Sequence, residues 1–301
     1  MHCKHTERSS LLSFDSTLSS PTLNWTSIDC CRWKGITCNQ DGWVTHLLLS
    51  SEGLKGGISL SSIENITHLT HSNLSHNSLL GSLETKLFLS LNRLEILDLN
   101  YNLLFGELPL SLPSDNIWIV DLSSNHLCGA IPPSFFQQAS NLTSFNISNN
   151  TFTGELPLNL GKLSKLKLVT LDLNNLKGAL PSSLMNCTNL VELRLGKNNL
   201  EGDISMLDFS RLGELTKIDL RFNNFTSTIP FGFNRFTNLT EAMKILMSSK
   251  SLCTLLLDGS FFGGRVLAND DMVDFDEFQH LRFLGLGGYL QWSTTFMVIE
   301  A

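Results

Sequence analysis

The sequence predicts an α/β-type solenoid, in which short coils of related sequence stack into an arc and share one parallel β-sheet on the concave face. Three observations predict this fold. A fixed set of apolar residues recurs around one polar register residue, which is usually Asn. From position 52 to position 223 the register residues are spaced 23 to 25 positions apart, and a Gly and a Pro follow most of them at fixed distances. Chance does not produce such regular intervals, so each register residue marks one coil.

The repeating frame is clearest in the segment Leu94–Pro109. With Asn102 as the register residue, Leu occupies positions minus eight, minus five, minus three, plus two and plus six. Gly106 stands at plus four and Pro109 at plus seven. The register residues, with looser matches at the first two and the last, are Glu52, Asn77, Asn102, Asn125, Asn150, Asn174, Asn198, Asn223 and Ser260.

Each position of the frame has a physical role. Two apolar residues that flank one polar residue indicate a short strand with one buried side. The amide of the register Asn can bond to backbone groups of neighbouring coils that would otherwise be buried without a partner. The Gly permits a tight bend, and the Pro fixes φ where no strand hydrogen bond is needed. We therefore expect the Asn column to be structural, with no role in catalysis or ligand binding.

An N-terminal cap is expected over residues 7–38, because a stack of coils stays soluble only if its ends are covered. The cap should contain a short amphipathic helix followed by two tryptophans, with the apolar residues Leu11, Leu12, Phe14, Leu18, Trp25 and Trp33. Four of the seven cysteines lie within the first 38 residues. Such clustering favours disulfides and an oxidising compartment. We predict the pairs Cys3–Cys30 and Cys31–Cys38.

A metal site is the alternative for these cysteines, with Cys30, Cys31, Cys38 and either His2 or His5 as ligands. Their spacing fits no common zinc motif, so we predict no metal and no cofactor. The three remaining cysteines, Cys128, Cys187 and Cys253, are far apart in sequence and are expected to be free and half-buried in the core.

Composition narrows the class of protein. The chain has 28 acidic and 21 basic residues, a net charge of −7, which argues against a nucleic-acid partner. It contains no apolar run of about 18 residues that could span a membrane. The first eight residues have no apolar core of a secretory signal, so we expect the sequence to start after, or without, the true N-terminus.

Nine Asn-x-Ser/Thr sequons accompany the cysteine cluster and predict a secreted glycoprotein. They are Asn24, Asn65, Asn73, Asn141, Asn146, Asn149, Asn186, Asn224 and Asn238. A repeat that is rich in Asn, Ser and Thr also makes some sequons by chance.

The cap segment Asp29–Cys38 and the Gly-x-Ile/Leu-Pro ending of the coils resemble the plant leucine-rich-repeat receptors, which include receptor-like proteins and receptor kinases. The stretches Ile28–Cys38, Asn141–Thr153 and Asp208–Asn223 are most similar to the tyrosine-sulfated glycopeptide receptors and the receptor-like proteins near them. The resemblance covers roughly residues 5–288. It implies the ectodomain of a plasma-membrane receptor that binds a secreted peptide or protein, in growth or defence signalling, and recruits a co-receptor kinase.

The resemblance also implies a membrane helix and often a kinase after the ectodomain, and this sequence contains neither. It has no kinase motifs, so we expect no enzymatic activity. The non-repeat island that family ectodomains use in peptide binding is missing too, which puts peptide binding by this chain alone in doubt. Two other functions remain open: a secreted inhibitor of cell-wall-degrading enzymes, and an intracellular interaction module.

The predicted ligand-binding residues lie on the concave strands of two neighbouring coils. Positions minus six, minus four, minus two and minus one should point outwards there. In the coils of Asn198 and Asn223 these positions hold Glu192, Arg194, Lys197, Lys217, Asp219 and Arg221. Grouped Arg and Lys suit an acidic or sulfated peptide, and the alternative is a solvated face of compensating ion pairs. Glycans on the concave sequons Asn73 and Asn146 would leave this patch open.

The domain organisation follows from the frame: a cap over 1–42, repeats over 43–288 with about eight regular coils and one or two irregular ones, and a non-repeat tail over 289–301. The frame breaks near Phe231–Phe233, where Asn234 follows Asn223 by only 11 residues. We expect the last coil, with strand residues Leu281, Leu284 and Leu286, to have an open edge. Weaker motifs, namely His68-x-x-His71, Gly285–Gly288 and the acidic run Asp270–Glu277, are interpreted as structural or solvated.

Overall fold

The computed structural model describes residues 2–20, 23–58, 60–83, 90–226, 245–246, 249, 251–257, 281–285 and 296–298. The chain divides into two compact units, Met1–Phe152 and Thr153–Ala301. The register residue Ser260, the break near residues 231–233 and the acidic run 270–277 lie outside the described residues.

The described residues of the first unit include a helix and two sheets. Helix α1 spans His5–Thr17, and short 3₁₀ helices span Cys30–Arg32 and Leu60–Ile63. The strands are β1 (Leu18–Ser20), β2 (Ile36–Cys38), β3 (Val44–Leu48), β4 (Lys55–Gly57), β5 (His71–Asn73), β6 (Ser78–Gly81), β7 (Ile96–Asp98), β8 (Leu103–Glu107), β9 (Ile119–Asp121), β10 (His126–Ala130), β11 (Ser144–Asn146) and β12 (Thr151–Thr153). The inner sheet has the order β2-β3-β5-β7-β9-β11, and the outer sheet has the order β1-β4-β6-β8-β10-β12. From β3 to β11 the inner strands are parallel, as predicted.

The second unit repeats this arrangement. Its strands are β13 (Leu168–Thr170), β14 (Lys177–Ala179), β15 (Glu192–Arg194), β16 (Asn199–Asp203), β17 (Lys217–Asp219), β18 (Asn224–Thr226), β19 (Thr254–Leu256), β20 (Phe283–Gly285) and β21 (Phe296–Val298). The 3₁₀ helices span Leu158–Lys162, Ser182–Asn186, Ile204–Met206 and Phe209–Arg211. The inner sheet has the order β13-β15-β17-β19-β20-β21, and the outer sheet has the order β14-β16-β18. Strand β17 pairs directly with β19, with Lys217 opposite Thr254.

The apolar positions of the frame form the core. In the coil of Asn102, the five Leu residues of the frame are at most 5% exposed. Burial of one such side chain stabilises the fold by about 1.5–3 kcal/mol. Since neighbouring coils place the same positions in the same rows, each row of Leu packs on the next along the stack.

The register Asn column is structural, as predicted. The Asn125 Nδ2 donates to the carbonyl oxygens of Leu99, Leu122 and Ser123, at 3.0 to 3.1 Å. The Leu104 amide donates to Asn125 Oδ1 at 3.0 Å. Leu99 and Leu104 belong to the coil before, so one side chain satisfies buried backbone groups of two coils. The same bond to the preceding amide is made by Asn77, Asn102, Asn150, Asn198 and Asn223.

The residue before each register residue has a left-handed backbone, which the sequence did not suggest. In both units φ at this position lies between 51° and 60°, at Ser51, His76, Tyr101, Ser124, Asn149, Leu173, Lys197 and Phe222. This conformation costs an L-residue about 1–2 kcal/mol. The buried bonds of the Asn that follows offset the cost. At plus four the predicted Gly is needed for another reason as well: Gly129 has φ of 78°, and a Cβ there would lie 2.8 Å from Glu107 Cγ.

The N-terminal cap has the predicted disulfides, Cys3–Cys30 and Cys31–Cys38, with Cα–Cα distances of 5.3 and 5.5 Å. Asp29 Oδ1 accepts hydrogen bonds from the backbone amides of both Cys3 and Cys31. These bonds lower the pKa of Asp29, first of all the one from Cys3. One carboxylate therefore holds the two cystines together.

Helix α1 packs against the stack through Leu11 and Phe14, which are fully buried. Of the other predicted helix residues, Leu12 is half-buried and Leu18 lies in β1. Glu7 on the same helix is also fully buried, and its Oε2 accepts from the Val44 amide at 2.7 Å. Burial raises the pKa of Glu7 to about 7, although this hydrogen bond and Lys4 oppose the rise. The helix thus attaches to β3 through a titratable group.

The open edge expected after the last predicted strand is not observed. Strand β21 lies within the predicted tail and pairs antiparallel with β20, with Phe283 opposite Val298. The expectation was wrong because the tail lacks the frame residues but still forms backbone hydrogen bonds, which depend little on side-chain identity. An antiparallel strand covers the edge that a further parallel coil would otherwise use.

Candidate ligand-binding surface

The six predicted ligand-binding residues lie on or next to two neighbouring strands of the second unit. Strands β15 and β17 are in register, so that Glu192 pairs with Lys217 and Arg194 with Asp219. All four residues project from the outward side of the inner sheet, and Lys197 and Arg221 follow at the ends of the two strands. We call these six residues the charged patch.

Ion pairs within the charged patch involve five of its six residues. Glu192 accepts a hydrogen bond from Arg194 Nε on its own strand, and Lys217 Nζ on the next strand lies 3.0 Å from Glu192 Oε1. Burial raises the pKa of Glu192, but the bonds from Arg194 and Lys217 outweigh it, and the pKa is lowered. Arg221 holds Asp219 with two bonds, of 2.9 and 2.7 Å. The compensating arrangement that the sequence left open is therefore present.

Asp172 is part of this electrostatic environment, and the sequence reasoning did not single it out. It occupies the minus-two position of the preceding coil, which the frame had assigned to the outward face. Burial raises its pKa, Asp219 raises it further, and Arg194 and Arg221 oppose the rise. Adding Asp172 leaves four cations against three carboxylates, so the surface remains slightly positive.

Lys197 differs from the other cations of the charged patch. It is exposed, and its Nζ lies 5.9 Å from the centroid of the Phe222 ring. Phe222 is 51% exposed. The ion pairs found among the described residues do not include Lys197. A cation and an aromatic face therefore lie side by side at the edge of the charged patch, available to a ligand.

The first unit presents a different chemistry on its inner sheet, centred on His46 and His71. Their rings stack with centroids 4.4 Å apart. Thr45 and Thr70 donate their hydroxyls to carbonyl oxygens, so each hydroxyl oxygen accepts from the neighbouring Nδ1, at 2.9 Å. This pattern assigns the proton to Nδ1 and leaves each Nε2 as an acceptor. Burial and the neighbouring His71 lower the pKa of His46, which favours the neutral form. His68, by contrast, stacks on Trp43.

Two carboxylates lie beside each other on the same sheet. Asp98 and Asp121 are in register on β7 and β9, and each Oδ1 accepts from the amide two residues later. Burial raises the pKa of Asp98, and Asp121 adds to the rise. The predicted sequon residue Asn146 donates from Nδ2 to Asp121 Oδ2 at 3.0 Å. A glycan on Asn146 would have to share this nitrogen, so its screening of the surface remains a prediction.

The other predicted modification and metal residues are placed as follows. The exposed sequon residues are Asn24, Asn65, Asn149 and Asn186, and the half-buried ones are Asn73, Asn141, Asn146 and Asn224. Asn238 lies outside the described residues.

The sulfurs of Cys3, Cys30 and Cys31 lie close enough together to hold a metal, but all three are in disulfides. Cys128, Cys187 and Cys253 are free, and Cys187 is fully buried rather than half-buried.

Stacked coils, parallel inner sheets and a disulfide-bonded cap define a leucine-rich-repeat fold. The family model of the leucine-rich repeat N-terminal domain matches residues 4–39. The leucine-rich repeat model matches residues 93–114, 116–138, 141–163 and 214–236. Within these ranges the chain is similar to leucine-rich-repeat proteins.

Known proteins are similar over parts of the chain or most of it. Receptor-like protein 3 of Arabidopsis thaliana is 35% identical over 99 residues, which are 31% of this chain and 13% of that protein. The ectodomain of the Arabidopsis receptor kinase GASSHO1/SCHENGEN3, solved with CASPARIAN STRIP INTEGRITY FACTOR 2, is 27% identical with a TM-score of 0.67. The Arabidopsis receptor kinase HAESA, solved with the peptide hormone IDA and the co-receptor SERK1, is 28% identical with a TM-score of 0.63.

The chain is much shorter than these proteins. The alignments with the two structures cover 84% and 86% of this chain, but 32% and 46% of the solved chains. This family and fold are those of ligand-binding ectodomains rather than enzymes. No described helix is both long and apolar enough to cross a membrane.

Proposed function

We propose that the chain is part of the extracellular recognition module of a plant cell-surface receptor, and that it binds a secreted peptide or protein through its inner sheets. The main support is structural similarity over most of the chain to receptor ectodomains that were solved with peptide ligands. The two cap disulfides support an extracellular location over an intracellular one. By analogy with HAESA, the parent protein would reside in the plasma membrane and recruit a co-receptor kinase.

The charged patch is the proposed contact for an acidic or sulfated segment of the ligand. Its Arg and Lys already have carboxylate partners, so an incoming anion has to compete with Glu192 and Asp219. Arg194 is 41% exposed and Arg221 33% exposed, so both guanidinium groups remain accessible from solvent. Ion pairs of partly exposed groups such as Glu192 contribute only about 0–1 kcal/mol, so exchanging this carboxylate for a ligand anion costs little. Asp219 is buried, so an anion at Arg221 has to add to that ion pair and not replace it. Lys197 adds a cation without such competition.

Binding of matched synthetic peptides to the disulfide-bonded, secreted chain tests this proposal. The probes are labelled peptides of equal length that carry Asp, Glu or sulfotyrosine, and neutral versions with Asn, Gln or Tyr. We expect the acidic set to bind more tightly, with a preference that weakens at high salt. Replacing both Arg194 and Arg221 by Ala should abolish the preference.

The matched control replaces Lys162 and Arg211 by Ala. Both are exposed, both lie on 3₁₀ helices of the same unit, and the same two charges are removed. The control should keep the preference for acidic peptides. Equal binding of acidic and neutral peptides, or equal loss in both double variants, would contradict a specific role of the charged patch.

A further inference from the structure

A polar groove lies between helix α1 and the turn that follows the 3₁₀ helix Leu60–Ile63. It has a volume of about 410 Å³, within the usual range of small-molecule sites. Hydroxyls line it, from Thr6, Ser9, Ser10 and Ser13 on the helix and from Ser62 opposite. The four helix residues follow the spacing i, i+3, i+4, i+7, so one whole face of α1 presents small hydroxyl side chains. The neighbouring face carries the buried Leu11 and Phe14.

Asn65 lies in the wall of this groove and is the first residue of the sequon Asn65-Ile66-Thr67. Its side chain is exposed, but its Nδ2 donates to Ser10 Oγ across the groove, at 3.2 Å. Ser10 is only 5% exposed. The nitrogen to which a sugar would be attached is thus fixed at the floor of the groove by a buried hydroxyl.

We propose that Asn65 carries an N-linked glycan whose first N-acetylglucosamine occupies this groove and fastens the cap helix to the first coils. This rests on the extracellular location within the proposed function. In the transfer, carbon 1 of the sugar leaves a lipid pyrophosphate and bonds to Nδ2, while one Nδ2 proton departs. The second Nδ2 hydrogen remains and continues to donate to Ser10. The sugar hydroxyls and acetamide meet a surface made of hydroxyls, which can donate and accept in turn.

The physical effect follows from the way α1 is held. Its buried face includes Glu7, whose desolvation opposes folding when the carboxylate is charged. A sugar in the groove would add contacts beside this buried face, between α1 and the 3₁₀ turn. The glycan should therefore slow local opening of residues 5–17.

The test compares Thr67→Ala, which removes the sequon but keeps Asn65, with Thr67→Ser, which keeps both the sequon and the hydroxyl. Both are made with a secretory leader in a host that adds oligomannose glycans. Glycopeptide mass spectrometry measures occupancy at Asn65, and hydrogen–deuterium exchange measures protection of residues 5–17. We expect exchange in this helix to be at least roughly threefold faster in Thr67→Ala, because local opening of an element follows the loss of its contacts.

Two further samples separate the first sugar from the rest of the glycan and from a general effect of glycosylation. Endoglycosidase H leaves only the first N-acetylglucosamine, and protection of the helix should survive this treatment. Thr188→Ala removes the exposed sequon at Asn186 in the second unit and should leave the helix unchanged. An unmodified Asn65, or equal exchange in Thr67→Ala and Thr67→Ser, would overturn the proposal. Neither readout involves peptide binding, so failure here is distinct from failure of the proposed function.

Discussion

Replacing Asn125 by Ala should destabilise the first unit by about 3–5 kcal/mol, which is large compared with the usual 5–15 kcal/mol stability of a domain. The side chain makes four buried hydrogen bonds, three from Nδ2 and one to Oδ1. Without it the Leu104 amide, whose residue is fully buried, has lost its acceptor. Such an unsatisfied donor costs about 1–3 kcal/mol, and each further bond contributes about 0.5–1.5 kcal/mol.

Urea unfolding followed by circular dichroism measures the change, together with hydrogen exchange at the Leu104 amide. Asn125→Asp is the informative second variant, because it keeps the Oδ1 acceptor but turns the three donated bonds into repulsion between oxygens. It should be at least as destabilised as Asn125→Ala. His126→Ala is the control, since His126 is the next residue and is exposed. A loss below about 1 kcal/mol in Asn125→Ala, or a stable Asn125→Asp, would refute the structural role of the column.

Three other perturbations test separate features. The pKa of Glu7 is raised from 4.5 to about 7 in the folded state, so the contribution of Glu7 to stability is fully present below pH 4.5 and is lost as the pH rises through 7. The loss is at most about 3 kcal/mol, and Glu7→Gln should abolish it in thermal melts across this range. Gly161→Ala should lower the free energy of unfolding in urea by about 1–3 kcal/mol or more, because a Cβ there would overlap the Ser183 carbonyl oxygen. Gly213→Ala is the control, since a Cβ at Gly213 would have open space around it. Burial raises the pKa of Cys187 to about 11, so mass spectrometry should find it alkylated at pH 8 only after unfolding, whereas the partly exposed Cys128 reacts in the native state.

Each of these expectations has a contrary outcome. A pH dependence that persists unchanged in Glu7→Gln would assign it to other groups. Equal stability of the two glycine variants would show that the coils at Gly161 can separate without cost. Rapid labelling of Cys187 in the native protein would mean that its coil opens easily.

The sequence was sufficient where one residue type has one physical use in every coil. The register Asn and the Leu rows are such cases, because burial and hydrogen bonding impose the same demand at each repeat. Disulfides in the cap were predictable from the clustering of four cysteines, although their number alone allows three pairings. The plus-four Gly was predictable from its conformation alone.

Features that depend on contacts between different coils were not predictable in this way. Tyr101 and Phe222 have positive φ values typical of Gly or Asn. The buried hydrogen bonds of the register Asn that follows each of them offset the cost of this conformation. The stacked His46 and His71 occupy the same frame position in successive coils, so their contact could have been predicted from the repeat pattern. Which carboxylate forms the ion pair with Arg221 depends on side-chain geometry, which the repeat pattern does not specify. Strand β21 formed where no frame residue predicts a strand.

The asparagine column gives the stack a polarity. Six of its side chains accept a hydrogen bond from a backbone amide of the coil before them. Deleting coils from the C-terminal side of a unit therefore leaves a backbone amide of the remaining part without its acceptor. Within the column, deletion from the N-terminal side frees only side-chain atoms, which can turn to water, whereas backbone bonds between strands are lost at either end. Shortened versions should tolerate loss of their first coils better than loss of their last ones.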